Sequence, residues 1–302
     1  MKCQFLHVSD IHYLVDYSKS SCFYAGIFKE LTPPEVQIQS LIKHIDFTNI
    51  DFILISGDLT ENGDFSDYKQ LKVLLEEIFK NTPMIVTPGN HDDIKAFKQG
   101  WLGIDADDSA YNVLVKESGV NIISLDSSSV NYPNGIISEA DCEWLEQAII
   151  ASKSEPTILV THHHLLDSQF SMPRAYYTEK FVRLIGDSNI IAIFNGHTHH
   201  FYSGEFAGKP YYTADSVSFS TELYCDNNVY FVQRSGLTFC SLENGKLTAK
   251  RISGTKTTKR FGVFIGQSSI NAGHLKKRFI STEQNEKIVL KEQKDFLKPK
   301  KR

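Results

Sequence analysis

Side chains able to bind metal ions occur at five points of the chain, each directly after a run of apolar residues. The five sequences are Asp10-Ile11-His12, Gly57-Asp58, Gly89-Asn90-His91-Asp92, His162-His163-His164 and Gly196-His197-Thr198-His199. They offer carboxylate, imidazole and amide donors and no thiolate, a mixture that favours first-row ions such as Mn, Fe, Zn or Co. Seven or eight donors are too many for one ion, so the sequence predicts a site for two.

The apolar runs before these sequences are typical of β-strands, and helical patterns separate them. Strands are predicted at 5–9, 52–56, 84–87, 122–125, 157–160 and 190–194. Apolar spacing predicts helices after Pro33-Pro34, at about 66–79, after Ser138 as N-cap and at about 178–185. Ligands of an α/β sheet gather beyond the carboxyl ends of its strands. We therefore expect the five sequences to converge there.

The chain after residue 200 is predicted to be all β, followed by a basic segment. Strands are expected near 201–206, 210–214, 229–233, 237–242 and 246–252, with a hairpin at Asn244-Gly245. Residues 251–302 hold 14 Lys or Arg against 4 Asp or Glu. We predict a catalytic domain over 1–253 and a basic, partly flexible extension over 254–302 that ends in a solvated tail.

Composition narrows the classes of protein. The 302 residues carry a net charge of −4, which gives no bulk attraction to nucleic acid or to an anionic membrane. No apolar run approaches the roughly 18 residues of a membrane span, and no signal peptide is recognisable. Five scattered cysteines argue against a disulfide framework. The expectation is a cytoplasmic protein without a membrane partner; the oligomeric state is not readable.

The order D-x-H, G-D, G-N-H-D, H, G-H-x-H resembles the calcineurin-like metallophosphoesterase superfamily, over residues 5–199. Within it, the chain is most similar to the class III cyclic-nucleotide phosphodiesterase and glycerophosphodiesterase group. The resemblance implies a four-layer α/β/β/α sandwich of the metallo-dependent phosphatase type. It also implies two metal ions, Mn, Fe or Zn, and hydrolysis of a phosphoester by a hydroxide that bridges them.

The resemblance also assigns roles to individual residues. It places Asp10, His12 and His199 at the first metal, Asn90, His162 and His197 at the second, and Asp58 between the two. His91 corresponds to the histidine that stabilises or protonates the leaving oxygen, and Asp92 could orient it. The family often has Pro soon after the histidine pair; His164-Leu165 stands here instead, so the following loop is expected to differ.

Other residues are candidates for substrate contact or for packing in the interior. His163 and Arg174 are candidates for substrate contact, although His163 could equally pack in the interior. The aromatic insertion 13–32 leaves directly from His12 and could cap the substrate site or simply pack on its own rings. His7 lies inside a strand and is expected to be a core histidine.

The substrate implied by the group is a small phosphodiester such as a 3′,5′-cyclic nucleotide. A nuclease or phosphomonoesterase of the same superfamily is the alternative, with nucleic acid as a partner that is possible but not favoured, since only the basic end supports it. A catalytically silent scaffold with this fold is a third possibility. That reading predicts missing ligands, and every expected position is filled.

Overall fold

A computed structural model describes residues 2–22, 24–129, 133–167, 169, 174–223, 229–254, 260–265 and 278–281. Most of the basic extension, including its predicted solvated tail, lies outside these ranges, as does Phe23 of the aromatic insertion. In the part of the chain that is described, no helix is long and apolar enough to cross a membrane.

The first seven described strands precede residue 200, and the remaining eight follow it. The first series is β1 (Lys2–Val8), β2 (Phe52–Ile55), β3 (Met84–Val86), β4 (Val113–Glu117), β5 (Val120–Ser124), β6 (Thr157–Val160) and β7 (Ile190–Asn195). The second is β8 (Tyr202–Phe206), β9 (Lys209–Thr213), β10 (Ser220–Leu223), β11 (Val229–Val232), β12 (Gly236–Glu243), β13 (Lys246–Ser253), β14 (Arg260–Ile265) and β15 (Arg278–Ser281).

Helices connect the strands of the first series. They are α1 (Pro34–Ile42), α2 (Phe65–Ile78), α3 (Ile94–Phe97), α4 (Glu139–Ala151) and α5 (Glu179–Gly186). Pro34 begins α1, and Ser138 forms a capping box with Asp141 at the start of α4, as their sequences predict. The sequence did not predict α3 or the π-helical turn at Lys98–Leu102 that continues it.

Two mixed sheets form the centre of the fold. One has the order β13-β12-β1-β2-β3, with β1, β2 and β3 parallel. The other has the order β4-β5-β6-β7-β9-β8, with β5, β6, β7 and β9 parallel. The parallel strands of each sheet end on one side, which brings their carboxyl ends and the loops after them together.

Alternate residues of these strands enter different cores, as the two-residue period of a strand requires. Phe5, Phe52 and Leu54 of the first sheet pack against Ile158 and Phe194 of the second. The opposite face of the first sheet packs against α1 and α2, and that of the second against α4 and α5. The layers are therefore helix, sheet, sheet, helix, and the predicted four-layer sandwich is confirmed.

A third, antiparallel sheet with the order β10-β11-β14-β15 was not predicted. It joins β10 and β11 to two strands of the segment that the sequence assigned to a basic extension. The domain boundary at residue 253 stays a prediction. Tyr24 and Phe28 of the aromatic insertion pack on Phe219 and Phe231, so the insertion does not pack only on its own rings.

Candidate metal centre

The predicted ligands converge beyond the carboxyl ends of the central strands. Donor atoms of Asp10, His12, Asp58 and His199 lie within 4.8 Å of one another, and all four residues are buried. A second group with the same mutual spacing contains His162, His163 and His197. A third such group, of His12, Glu61 and His91, shares His12 with the first. The first two groups together contain every predicted metal ligand except Asn90.

Distances within the first group suit one coordination shell. Nε2 of His12 lies 3.1 Å from Nε2 of His199, and Nε2 of His199 lies 3.3 Å from Oδ1 of Asp10. Nitrogen and oxygen ligands about 2.1 Å from a shared ion are roughly 3.0–3.4 Å apart. These three side chains could therefore bind a single ion with little movement.

The second group has a matching geometry. Nε2 of His162 lies 3.2 Å from Oδ1 of Asn90, as the prediction that both serve one metal requires. Nε2 of His197 is buried without a hydrogen-bond partner among the described residues. A buried imidazole nitrogen left without a partner fits a site in which an ion would supply the missing contact.

One carboxylate connects the two groups. Oδ2 of Asp58 lies 3.2 Å from Nε2 of His162 and 3.7 Å from Nε2 of His12. His162, rather than His163, is the histidine of this run that faces both Asp58 and Asn90.

The histidines are held by their other ring nitrogen. Nδ1 of His162 lies 2.7 Å from the Ser56 carbonyl oxygen, and Nδ1 of His199 lies 2.8 Å from the Phe219 carbonyl oxygen. A carbonyl can only accept, so each Nδ1 carries a proton and each Nε2 faces the centre, where a metal ion would bind in place of any second proton. This is the usual way in which proteins fix the tautomer of a metal-binding histidine.

Half of the described non-glycine residues with a positive φ angle are predicted metal ligands. Positive φ angles occur at Asp10 (54°), His12 (50°), Asp58 (50°), His197 (70°) and His199 (55°). Such angles are uncommon for residues other than glycine, and they cluster at functional sites where surrounding structure enforces them. The strand ends thus turn abruptly so that consecutive donors face inwards.

Two glycines make the close approach possible. Gly57 has φ +97°, and a Cβ atom at this position would overlap the ring of His162. A Cβ atom on Gly89 would overlap the carboxylate of Asp58. Larger residues at either position would push a predicted ligand away from the centre.

The buried charges are mutually stabilised. Burial alone would raise the pKa of Asp58, but His162 and His91 outweigh it and hold that pKa well below its usual range. Burial likewise opposes protonation of His162, yet Asp58 raises its pKa to about 9. His197 behaves oppositely, because burial and the neighbouring His163 lower its pKa well below normal. The centre therefore combines an ionised carboxylate with both charged and neutral imidazoles.

His91 lies at the edge of the centre, and its partner is not the one predicted. Its Nδ1 is 3.0 Å from the carbonyl oxygen of Glu61, and its side chain is 23% exposed. Asp92 instead accepts hydrogen bonds from the amides of Leu59, Thr60 and Gly89, and from the Tyr68 hydroxyl. The prediction that Asp92 orients His91 directly is therefore corrected: Asp92 holds the turn that carries His91.

Glu61 was missed by the sequence reading. Its carboxylate lies 2.6 Å from Nδ1 of His12, and Nδ1 is also the nitrogen through which His162 and His199 are held. No motif marks Glu61, and the only signal was an acidic residue three positions after Asp58 in the loop that follows β2.

The two candidates for substrate contact already have partners within the chain. His163 lies beside His197 in the second group but is fully buried, with Nδ1 2.8 Å from the Ser127 hydroxyl and Nε2 3.1 Å from the Pro133 carbonyl oxygen. Substrate contact by His163 stays a prediction. Arg174 pairs with Asp167 at 2.8 Å and lies over the Tyr177 ring, so its described contacts do not include the centre.

Aromatic rings line one side of the centre. The Phe219 ring centroid is 4.4 Å from that of His199 and 5.3 Å from that of His12. The Tyr24 hydroxyl is 3.4 Å from Nε2 of His91. Since Tyr24 belongs to the insertion and Phe219 precedes β10, the insertion and the third sheet together approach the site.

Comparison with known families agrees with this architecture. Residues 3–201 match the family model of the calcineurin-like phosphoesterases, and the chain belongs to this family. Family membership and the cluster of histidines and carboxylates together indicate a metal-dependent phosphoesterase.

Three curated proteins are similar in sequence to parts of this chain. A protein of Rhodococcus erythropolis named "Probable cyclic nucleotide phosphodiesterase" is 26% identical over 219 residues, which are 70% of this chain and 73% of that protein. A cAMP/cGMP dual specificity phosphodiesterase of Mycobacterium tuberculosis is 23% identical, over 72% of this chain and 68% of its own length. A protein of Arcobacter nitrofigilis named "Probable glycerophosphodiester phosphodiesterase GpdQ" is 26% identical over 49% of this chain and 56% of its own length.

Solved structures share the fold at lower identity. The purple acid phosphatase PPD1 of yellow lupin gives a TM-score of 0.55 at 12% identity, covering 93% of this chain and 54% of that one. GAP50 of Plasmodium gives 0.56 at 17% identity, covering 86% of this chain and 88% of that one. These similarities show the fold alone.

Proposed function

We propose that the centre binds two metal ions and hydrolyses a small phosphodiester. Asp10, His12 and His199 hold the first ion, and Asn90, His162 and His197 hold the second. The observation that carries this proposal is the position of Asp58, whose Oδ2 lies within 3.7 Å of a histidine nitrogen of each group. A carboxylate in that position could be shared between two ions.

The chemistry follows from charge. Two bound ions neutralise a phosphodiester and lower the pKa of water, which supplies a nucleophile at neutral pH. Hydrogen bonds at Nδ1 of His12, His162 and His199 turn their Nε2 atoms towards the centre, where each could bind an ion. Burial opposes protonation of His91, but Asp58 and Glu61 outweigh it and raise its pKa, so Nε2 at the edge of the centre can carry a second proton and give it to the leaving oxygen.

Two features support a small diester as the substrate. The curated relatives include a cAMP/cGMP dual specificity phosphodiesterase and proteins named cyclic nucleotide or glycerophosphodiester phosphodiesterases. The rings of Tyr24 and Phe219 stand against the histidines, which narrows the space beside the ions. Among small diesters, we propose a 3′,5′-cyclic nucleotide. The basic segment that motivated the nuclease alternative lies largely outside the described residues.

A substrate panel tests the proposal. The chelated protein, reloaded with Mn²⁺, is assayed on cyclic nucleotides, glycerophosphodiesters, an aryl phosphodiester and single-stranded DNA. We expect turnover of small diesters. Turnover of DNA alone would overturn the choice of substrate, and no turnover of any phosphoester by the metal-loaded protein would favour the scaffold reading.

A matched pair of asparagine variants tests the centre itself. Asn90→Ala removes a proposed ligand, whereas Asn49→Ala changes an exposed residue of a short 3₁₀ helix. Removing the hydrogen-bond partner of a metal ligand commonly lowers metal affinity or activity about 10–100-fold. Removing a ligand itself should therefore lower kcat/KM by about 100-fold or more. Retained activity in Asn90→Ala at matched metal content would refute the assignment.

A further inference from the structure

Glu61 occupies a position behind the centre that no motif predicted. It follows Asp58 by three residues, and its side chain is completely buried. Burying a carboxylate is costly unless hydrogen bonds and opposite charge compensate for it. His12 and His91 beside it can do so, and the Cys22 thiol and the Tyr24 hydroxyl also hydrogen-bond to its carboxylate.

The two histidines meet different parts of Glu61. Oε2 of the carboxylate lies 2.6 Å from Nδ1 of His12, while the main-chain carbonyl oxygen lies 3.0 Å from Nδ1 of His91. The same Oε2 is 3.7 Å from Nδ1 of His91. The two rings are nearly perpendicular, with centroids 4.8 Å apart, so this one residue fixes the relative orientation of both.

The chemical consequence concerns where the protons sit. A carboxylate can only accept, so Nδ1 of His12 donates to Glu61 and Nε2 keeps its lone pair. That Nε2 is 3.1 Å from Nε2 of His199 and 3.7 Å from Asp58. The main-chain carbonyl likewise holds a proton on Nδ1 of His91.

The hydrogen bond between Glu61 and His12 is shielded from water. Both side chains are buried, and 2.6 Å separates Oε2 from Nδ1. An ionised carboxylate behind a ligand histidine raises the basicity of that ligand and thereby its affinity for a metal ion.

We propose that Glu61 is a positioning residue of the metal centre: its carboxylate tunes His12 for one of the two ions, while its main-chain carbonyl holds His91. The inference rests on the proposed function. A substitution of the Glu61 side chain removes the hydrogen-bond partner of His12 but leaves the main-chain carbonyl that orients His91. The role of the side chain in metal binding can therefore be measured separately from the orientation of His91.

The test measures metal binding directly. Wild type, Glu61→Ala and Glu61→Gln are dialysed against graded free Mn²⁺, and bound metal is counted by atomic emission. Glu61→Ala should raise the dissociation constant of one ion about 10- to 100-fold and leave the other unchanged. Glu61→Gln should show a smaller loss, because its amide oxygen still accepts from Nδ1 of His12.

Activity supplies the second measurement. Saturating Mn²⁺ should restore kcat of Glu61→Ala on an aryl phosphodiester towards that of wild type, because His91 keeps its main-chain partner. A purely structural role would not be rescued by metal. Asp67→Asn is the matched control, since Asp67 is also buried but accepts from the Val15 amide, away from the centre.

The outcomes distinguish the two proposals. Wild type that binds two ions and turns over the diester, together with Glu61 variants that bind both ions as tightly, would overturn the role of Glu61 alone. Wild type that binds no metal would overturn the proposed function. Circular dichroism checks that each variant folds, and Glu61→Gln, which preserves the shape of the side chain, decides the matter if Glu61→Ala does not fold.

Discussion

Acidification should destabilise the fold through His7, a histidine buried between the two central sheets. Nε2 of His7 is 2.8 Å from the Ser56 hydroxyl, and its ring lies edge-on to Phe194 at 5.1 Å. Burial lowers the pKa of His7 to about 3, against 6.5 for a histidine side chain exposed to water. The folded protein therefore keeps His7 neutral at a pH where the unfolded chain takes up a proton.

The magnitude follows from the two pKa values. Between pH 6.5 and 3 the unfolded state binds one more proton at His7, so the free energy of unfolding falls by about 1.4 kcal/mol per pH unit. At pH 5 the loss from this residue is about 2 kcal/mol, and above pH 6.5 it disappears. The expected window therefore lies below pH 6.5.

Urea unfolding of wild type and His7→Phe at pH 7.5 and pH 5, in chelator, isolates this effect. At pH 7.5 the variant should be less stable by about 1 kcal/mol, because the Ser56 hydroxyl loses its partner. At pH 5 the difference between the two proteins should shift by about 2 kcal/mol in favour of the variant. An equal pH dependence for both proteins would refute the reasoning.

Three further predictions concern the loops and the ions. Gly57→Ala should lower the free energy of unfolding by more than about 1 kcal/mol and weaken metal binding, because Gly57 has a φ of +97° and a Cβ atom there would overlap His162. Unchanged urea unfolding and an unchanged metal titration would show that this close approach is unimportant. Asp92→Ala should lower the free energy of unfolding in urea by about 3–4 kcal/mol, because three amides and the Tyr68 hydroxyl lose their acceptor. A variant that keeps wild-type stability but loses turnover would instead indicate a direct catalytic role for Asp92. Mn²⁺ at 100 times its dissociation constant should stabilise the chelated protein by about 2.7 kcal/mol per site in calorimetry, and an unchanged melting temperature would contradict specific binding.

The main architecture was predictable because its signals are local. β-Branched apolar runs predicted the parallel strands, and a polar residue directly after each run predicted where those residues would meet. The Asn244-Gly245 hairpin is similarly local, and both residues have the positive φ that such a turn requires. The structure accordingly brings Asp10, Asp58 and the other proposed ligands into one cluster.

The remainder depends on contacts between distant parts of the chain. The third sheet pairs β11 with β14, which in turn pairs with β15, and the sequences of β14 and β15 carry no pattern that identifies a partner so far along the chain. The position of Glu61 depends on the loop after Asp58, and the partner of Asp92 on how that loop meets the turn at Gly89. Sequence spacing gives residue types at these points, but loop geometry decides which atoms touch.

The count of metal ions per chain tests the central claim most directly. Chelated wild type reloaded with Mn²⁺ should bind two ions, and Asp58→Asn should lose tight binding of at least one of them, because Asp58 reaches both groups of ligands. Fewer than two ions on the wild-type chain, or two ions bound with unchanged affinity by Asp58→Asn, would contradict a centre built around this shared carboxylate.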